Sequence, residues 1–280
     1  ETKEGYNALT LAARYQTESL RTLLKVIQTL DKEEQKKILT QETKEGYNAL
    51  MLAARYHPES LPTLLKVIQT LDKEEQKKIL TQETKEGCNA LMLAAHSQPE
   101  SLPTLLEVIQ TLDKEEQKKI LTKVDIGGSN ALMLAARSHP ESLPTLLKVI
   151  QTLDKEEQKK ILTKVSINGS NALMSAAYSH PESLPTLLKV IQTLDKEEQK
   201  KILTQVSTNG RNALMLAACN QTESLRTLLK VIQTLDKEEQ KKILTQVDTY
   251  GWNALMFAAY SHPENLPTLL KVIQTLDKEE

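Results

Sequence analysis

Four histidines recur at one position of a repeated segment, and histidines at a regular interval can bind a metal ion. Only His139 and His180 fall in neighbouring copies of the segment. Packed helices lie about 10 Å apart, whereas two ligands of one zinc ion must each come within about 2 Å of it. We therefore predict turn residues and no metal site at this position, which holds His57, His139, His180 and His262.

Paired glutamates could perform acid–base chemistry. The pair Glu74 and Glu75 stands in the sequence Asp-Lys-Glu-Glu, which every copy repeats unchanged. A solvated helix face explains an unchanging charged pair better than catalysis does. The sequence also lacks a glycine-rich phosphate loop, a Cys-x-x-Cys motif and a nucleophile beside a local base motif. We predict that the chain is not an enzyme and binds no cofactor.

The charge balance and the cysteines restrict the partners and the compartment. The 36 basic and 37 acidic side chains nearly cancel, so no net field would recruit nucleic acid or an anionic membrane. No run of 18 apolar residues could cross a bilayer. Cys88 and Cys219 lie three copies apart, about 30 Å at the spacing of packed helices, which is too far for a disulfide. Two unpaired thiols favour a reducing, intracellular compartment.

The whole chain consists of copies of one segment. The stretch Gly46–Ala54, which reads Gly-Tyr-Asn-Ala-Leu-Met-Leu-Ala-Ala, returns every 41 residues. Because a unit of this size cannot bury a core alone, the copies must stack on one another. The chain starts at Glu1 and stops inside a copy, so we expect it to be a piece of a longer array. The predicted repeats are residues 1–41, 42–82, 83–123, 124–164, 165–205, 206–246 and the truncated 247–280.

Two helices are predicted in the first part of each repeat, whose positions we number from 1 to 41. Asn48 at position 7 is a good N-cap for a short apolar helix, which should end before Pro58 because a proline disfavours helix in the residue before it. A second helix should run from Pro58 to Leu71, with leucine and isoleucine at three- and four-residue steps on its buried face. The methionines at position 10, such as Met51, are predicted to pack in the core.

A third, short helix is predicted from Lys73 to Thr81. Asp72 followed by Glu75 resembles a capping box, which marks a helix start. The alternative is one unbroken helix from Pro58 to Gln82. In either case the pattern indicates an all-α repeat structure with two to three helices per repeat.

At this point the repeats resemble the ankyrin family, whose pattern runs D-x-x-G-x-T-P-L-H-x-A-A. The last copy reads Asp-Thr-Tyr-Gly-Trp-Asn-Ala-Leu-Met-Phe-Ala-Ala from Asp248 to Ala259. The resemblance implies a solenoid of seven stacked 41-residue ankyrin-like units. Asn-Ala-Leu-Met replaces the usual Thr-Pro-Leu-His, so the family's Thr–His hydrogen-bond network should be lost. The eight extra residues put a helix just before the family's β-hairpin, so the sequence does not decide whether the hairpin forms. An armadillo-like three-helix solenoid is the alternative fold.

The copies differ mainly at positions 6, 14 and 15 and within positions 1 to 4, where tyrosine, tryptophan and arginine are frequent. Of the nine aromatic residues only Phe257 follows the core pattern. Since these positions lie off the apolar stripe, we expect them to be exposed, and the ankyrin resemblance places them along a concave groove. Drift of exposed positions explains the variation but not the residue types, which are those of binding hot spots. The candidate binding residues are Tyr6, Arg14, Tyr15, Tyr47, Arg55, Tyr56, His96, Arg137, Tyr178, Arg211, Tyr250, Trp252 and Tyr260.

The sequence therefore predicts a protein–protein interaction scaffold that binds a partner protein in the concave groove, and not nucleic acid or a membrane. The alternative is a structural spacer or a self-assembling array, because the last copy lacks its Lys-Lys-Ile-Leu segment and an uncapped end could associate with another chain. The resemblance implies an intracellular location, in the cytoplasm or, for a secreted bacterial effector, in the host cytosol. A designed origin also remains open.

Overall fold

A computed structural model describes residues 2–220 and 222–277 of the chain. These residues form twenty α-helices and no β-strand. Each of the first six repeats has three helices and the seventh has two. The chain forms two compact units, and we call Glu1–Ile126 with Lys148–Glu157 the N-terminal unit and Gly127–Leu147 with Gln158–Glu280 the C-terminal unit. None of the described helices has both the length and the apolar composition needed to cross a membrane.

The helices recur at equivalent places in the repeats. The first helices are Ala8–Tyr15, Ala49–Tyr56, Ala90–Ser97, Ala131–Ser138, Ala172–Ser179, Ala213–Ala218 and Ala254–Ser261. The second helices are Thr17–Ile27, Leu61–Ile68, Ser101–Ile109, Leu143–Ile150, Leu184–Ile191, Thr222–Ile232 and Leu266–Asp277. The third helices are Lys32–Leu39, Lys73–Thr81, Lys114–Leu121, Lys155–Leu162, Lys196–Leu203 and Lys237–Thr245. Short 3₁₀ turns occupy Pro58–Ser60, Pro140–Ser142, Pro181–Ser183 and Pro263–Asn265.

In the first six repeats the first helix begins at an asparagine that also holds the third helix. Asn48 Oδ1 accepts a hydrogen bond from the Met51 backbone N–H at 2.9 Å, as an N-cap should. Its Nδ2 donates to the Ile79 carbonyl, 31 residues further on, at 3.0 Å. The side chain is buried, so both polar ends of one amide are satisfied by backbone groups of two different helices.

The second and third helices are separate, so the alternative of one unbroken helix is wrong. The second helix ends at Ile68, and Asp72 caps the next one by accepting from the Glu75 N–H at 2.9 Å. In the turn between them the carbonyls of Gln69 and Leu71 accept from Nε2 of the buried Gln76, at 3.1 and 2.8 Å. A glutamine at position 35 thus satisfies carbonyls that a helix end would otherwise leave without partners.

The core contains the residues that the apolar pattern predicts. In the second repeat the second helix buries Leu61, Leu64 and Ile68, and the third buries Ile79 and Leu80. The paired alanines of the first helices are buried as well. In the N-terminal unit the first helices of repeats 1 to 3 pack side by side, and in the C-terminal unit those of repeats 4 to 7 do the same. Small side chains at this seam allow the helix backbones to approach closely.

The expectation of a solvated face on the third helix holds for Glu34 of the first repeat but is wrong for the second glutamate of the pair in repeats 3 to 6. Glu116, at position 34, is buried and pairs with Lys77 of the preceding repeat at 2.7 Å. The capping box therefore forms only on its aspartate side, since the glutamate carboxylate is engaged with the neighbouring repeat. The N-terminal unit contains Lys36–Glu75, Lys77–Glu116 and Lys118–Glu157, and the C-terminal unit contains Lys159–Glu198 and Lys200–Glu239.

The turn before each first helix keeps a tight conformation without a regular β-hairpin. Gly46 has φ +83°, a left-handed backbone that favours glycine. A Cβ there would lie 2.8 Å from the Glu83 carbonyl oxygen of the next repeat, so the close approach also requires glycine. Next to it the Lys85 N–H donates to the Glu45 carbonyl at 2.9 Å. In the described residues the family's hairpin is reduced to such turns and to isolated bridges such as Val206–Asn212.

Replacement of the position 7 asparagine by serine separates its two roles. Serine caps helices about as well as asparagine but cannot donate to the third helix. Asn212 Nδ2 donates to the Ile243 carbonyl at 2.9 Å, whereas Asn253 caps Met256 and has no third helix to bind among the described residues. We expect N212S to lower the free energy of unfolding by about 1–2 kcal/mol more than N253S, measured by urea denaturation with the fluorescence of Trp252, the single tryptophan. Equal losses would show that the second bond contributes nothing.

Candidate functional site

In the N-terminal unit an arginine at the end of a first helix is held between two tyrosines. Arg14 lies over the Tyr6 ring and over the Tyr15 ring, with its guanidinium carbon 5.5 and 5.1 Å from the ring centroids. Its Nη1 also donates to the Tyr6 hydroxyl. The turn presents position 6 and the last helical turn presents positions 14 and 15, so three variable positions form one cluster. Guanidinium groups over aromatic faces are attracted by the ring quadrupole.

The second repeat builds the same cluster. Arg55 Nη1 donates to the Tyr47 hydroxyl at 3.1 Å, and its guanidinium carbon lies 5.3 Å from the Tyr56 ring centroid. Burial raises the pKa of the Tyr47 phenol, an effect that the nearby Arg55 charge only partly offsets. The hydroxyl therefore stays neutral at physiological pH and accepts the arginine N–H.

These two arginines have no acidic partner. Among the residues that the structure describes, neither Arg14 nor Arg55 forms an ion pair. The surface formed by Tyr6, Arg14, Tyr15, Tyr47, Arg55 and Tyr56, which we call the Tyr–Arg surface, therefore carries two positive charges that no carboxylate of the described chain neutralises.

In the C-terminal unit the equivalent positions form an aromatic cluster around a neutralised arginine. Arg211 Nε donates to Asp248 Oδ2 at 3.1 Å, and its guanidinium carbon lies 4.8 Å from the Phe257 ring centroid. Trp252 packs against Phe257 at a centroid distance of 5.3 Å and against Tyr260, edge to face, at 5.5 Å. We call these five residues the Trp cluster.

The carboxylate of Asp248 anchors this cluster. It is buried, and burial alone would raise its pKa, but hydrogen bonds from the Trp252 and Tyr250 backbone N–H groups and from Arg211 outweigh that effect and lower it. The two N–H groups donate to Oδ1 at 3.0 and 2.9 Å. The aspartate thus fixes the turn that carries Trp252 and also the arginine beneath it.

The expectation that all the variable positions are exposed is only partly correct. Tyr15, Tyr56, His96, Arg137, Tyr178, Tyr250 and Tyr260 are exposed, whereas Tyr6, Arg14, Tyr47, Arg55, Arg211 and Trp252 are half-buried. Position 6 is half-buried because its side chain lies under the arginine or tyrosine of position 14. The sequence pattern did not identify Asp248 as part of the site. It assigned Phe257 to the core, and Phe257 is buried, but its ring also contacts the guanidinium of Arg211.

The middle repeats place smaller residues in these columns. Cys88 and Ser129 occupy position 6 there. Both cysteines have free thiols, and burial raises the pKa of the Cys88 thiol to about 11, which makes it a poor nucleophile at neutral pH.

The histidines of position 16 follow the first helices, as predicted for turn residues. His139 Nδ1 lies 3.3 Å from Glu141 and His180 Nδ1 lies 3.2 Å from Glu182, two residues further on. Within the described ranges no three histidine, cysteine, aspartate or glutamate side chains are arranged to hold a metal ion.

Comparison with known proteins agrees with this geometry. Residues 189–279 match a family model described as ankyrin repeats (3 copies). The crystal structure of the human ASB11 ankyrin repeat domain superposes with a TM-score of 0.60 and 16% sequence identity, over 95% of this chain and 98% of that chain. Residues 189–279 therefore match ankyrin repeats in sequence, and the chain has the fold of an ankyrin repeat solenoid. No curated protein matches it significantly.

The family match covers the C-terminal part, and the earlier residues carry the same 41-residue signature. The likeness to the solved domain concerns the fold, and it decides against the armadillo-like alternative. Ankyrin repeats are in general protein–protein interaction modules, and the fold is typically not that of an enzyme.

Substitution of the anchoring carboxylate should give a pH-dependent loss of stability. D248N keeps an acceptor for the turn N–H groups but removes the charge beside Arg211, so we expect a loss of about 1–2 kcal/mol at pH 7. Because the pKa of Asp248 is lowered from 3.8 in the folded chain, its contribution is present above that pH and is lost as the pH falls through the lowered pKa. The difference between wild type and D248N should therefore shrink below pH 3.8, as measured by urea denaturation with Trp252 fluorescence. A difference that stays constant from pH 7 to pH 3 would contradict this role.

Proposed function

We propose that the chain is a protein-binding scaffold that recognises a partner protein through the Tyr–Arg surface and the Trp cluster. Within each unit these side chains come from the turns and the first helices, the elements that line the concave face in ankyrin repeats. The observation that carries the proposal is that arginine and aromatic side chains stack on one another while some of the tyrosines remain exposed to solvent. Tyr15 is 59% exposed and Tyr260 is 78% exposed.

The residue types support binding better than neutral drift. Tyrosine, tryptophan and arginine dominate the energetics of protein interfaces, and a tyrosine that is already stacked on a fixed neighbour loses little rotamer freedom when a partner binds. Positions of the third helix that are equally exposed, such as Glu74, do not vary between copies. The enrichment of tyrosine, tryptophan and arginine at the variable positions alone therefore favours a surface selected for binding over neutral drift.

The proposal includes no catalytic role and no cofactor. The four histidines of position 16 lie beside glutamates two residues further on. The Cys88 thiol is protonated at neutral pH because its pKa is about 11, and the buried glutamates pair with lysines. We also infer an intracellular site of action from the two unpaired thiols.

The binding proposal predicts a contrast between two faces of the same unit. Y260A should weaken binding by about 1 kcal/mol or more, a fivefold change in Kd, as the loss of an interface anchor does. W252A should weaken it further, because it also removes support from Tyr260. K230A, on the exposed side of a second helix in the same unit, is the matched control and should change Kd less than twofold.

The measurement starts with proximity labelling in which the array is the bait, followed by titration of the purified partner with each variant. Circular dichroism of every variant verifies folding. If Y260A and K230A behave alike, the partner does not bind on this face and the proposed surface is wrong.

A further inference from the structure

The two arginines of the Tyr–Arg surface are prepared to bind anions. Arg14 lies over the Tyr6 and Tyr15 rings and Arg55 lies over the Tyr56 ring, and one Nη of each arginine donates to a tyrosine hydroxyl. These contacts set the orientation of each guanidinium and use one of its N–H groups. A guanidinium held in this way loses little freedom on forming a bidentate contact with a carboxylate.

The charge of these arginines differs from that of their counterpart in the C-terminal unit. Arg211 is at position 6 of its repeat, whereas Arg14 and Arg55 are at position 14. It is also stacked on an aromatic ring, but its charge is neutralised by Asp248. Arg14 and Arg55 lack such a partner in the described chain. A half-buried charge without a counter-ion is costly, and a ligand that supplies carboxylates removes that cost.

The spacing of the two arginines limits the ligand. Arg14 and Arg55 occupy the same position of two first helices that pack side by side. Packed helices lie about 8–10 Å apart, and an extended segment in the polyproline II conformation advances about 3.1 Å per residue with three residues per turn. Two side chains that are three residues apart in such a segment point to the same side about 9 Å apart, which matches the spacing of the two helices.

We propose that the Tyr–Arg surface binds an extended acidic segment of the partner protein, with carboxylates at positions i and i+3 contacting Arg14 and Arg55. The tyrosine rings at the rim, Tyr15 and Tyr56, cover the aliphatic parts of the same segment. This inference rests on the proposed binding function and specifies the chemistry of one of its two surfaces.

A peptide fits this surface better than a nucleic acid does. The turn tips beside the arginines carry exposed acidic and basic residues in equal number, Glu4 and Glu45 with Lys3 and Lys44. A nucleic acid needs an excess of positive charge along its phosphates, and the balanced charges of the turn tips do not supply it. Two discrete carboxylates need only the two arginines.

The test uses the full chain and fluorescein-labelled peptides of glycine and serine that contain two glutamates. One peptide has them at i and i+3 and the other has them adjacent, so the two have equal charge and composition. In anisotropy titrations at low ionic strength, the first should bind at least fivefold more tightly than the second. The double variant R14Q/R55Q should lose at least tenfold in affinity, and R14K/R55K should lose a large part of it, because lysine keeps the charge but not the planar fork.

Arg21 provides the control, since it is exposed on the second helix of the first repeat and is not one of the candidate binding residues. R21Q should leave the affinity within twofold of wild type. Equal affinity for the two peptides, equal losses in R21Q and R14Q/R55Q, or no binding at protein concentrations up to about 1 mM would overturn the inference. Tighter binding of a single-stranded oligonucleotide of equal charge would also overturn it.

Failure of this inference can be distinguished from failure of the proposed function. If a partner identified by proximity labelling needs Tyr260 but binds R14Q/R55Q as it binds wild type, the scaffold function stands and the acidic segment is excluded. If neither Y260A nor R14Q/R55Q affects the partner, the proposed function itself fails.

Discussion

An asparagine amide connects the first and third helices in the first six repeats, and much of the structure depends on it. Its oxygen starts the first helix and its nitrogen holds the end of the third, as Asn48 does with Met51 and Ile79. Neither aspartate nor serine could do both, since aspartate has no donor and serine is too short to reach two helices. The Thr–His network that the ankyrin pattern leads one to expect is replaced by this amide. The insertion of a third helix and the change from threonine to asparagine are therefore one structural adaptation.

The buried glutamine of position 35 completes the same arrangement. Gln76 satisfies the carbonyls of the turn between the second and third helices, so the chain can reverse there without leaving polar groups unpaired in the interior. With both turns fixed by side-chain amides, the third helix presents its glutamate and lysine to neighbouring repeats in a constant geometry. The variable residues lie at the turn and at the end of the first helix, where substitution leaves these bonds intact.

Local features of the sequence were sufficient to predict the helices and the core. The caps Asn48 and Asp72 and the spacing of leucines act within one or two turns, so each can be recognised in a single copy. Interactions that join residues about one repeat apart could not be found in this way. Glu116 looks like any exposed glutamate until Lys77, 39 residues earlier, is placed beside it. The pair of Arg211 and Asp248, 37 residues apart, was missed for the same reason, and so was the partial burial of position 6. The binding role of the Tyr–Arg surface and of the Trp cluster remains a prediction.

The lysine–glutamate pairs between neighbouring repeats have an evolutionary consequence. Within each unit, every such junction uses the same two residue types at the same two positions, as in Lys36–Glu75 and Lys200–Glu239. A genetic crossover between two copies would produce a shorter or longer chain whose new junction is made of the same residues as the old ones. Because Arg14 and Arg55 contact tyrosines of their own repeat, such an exchange would also bring different surfaces next to each other. Repertoires of recognition surfaces could in this way arise by recombination alone, without compensating mutations in the core.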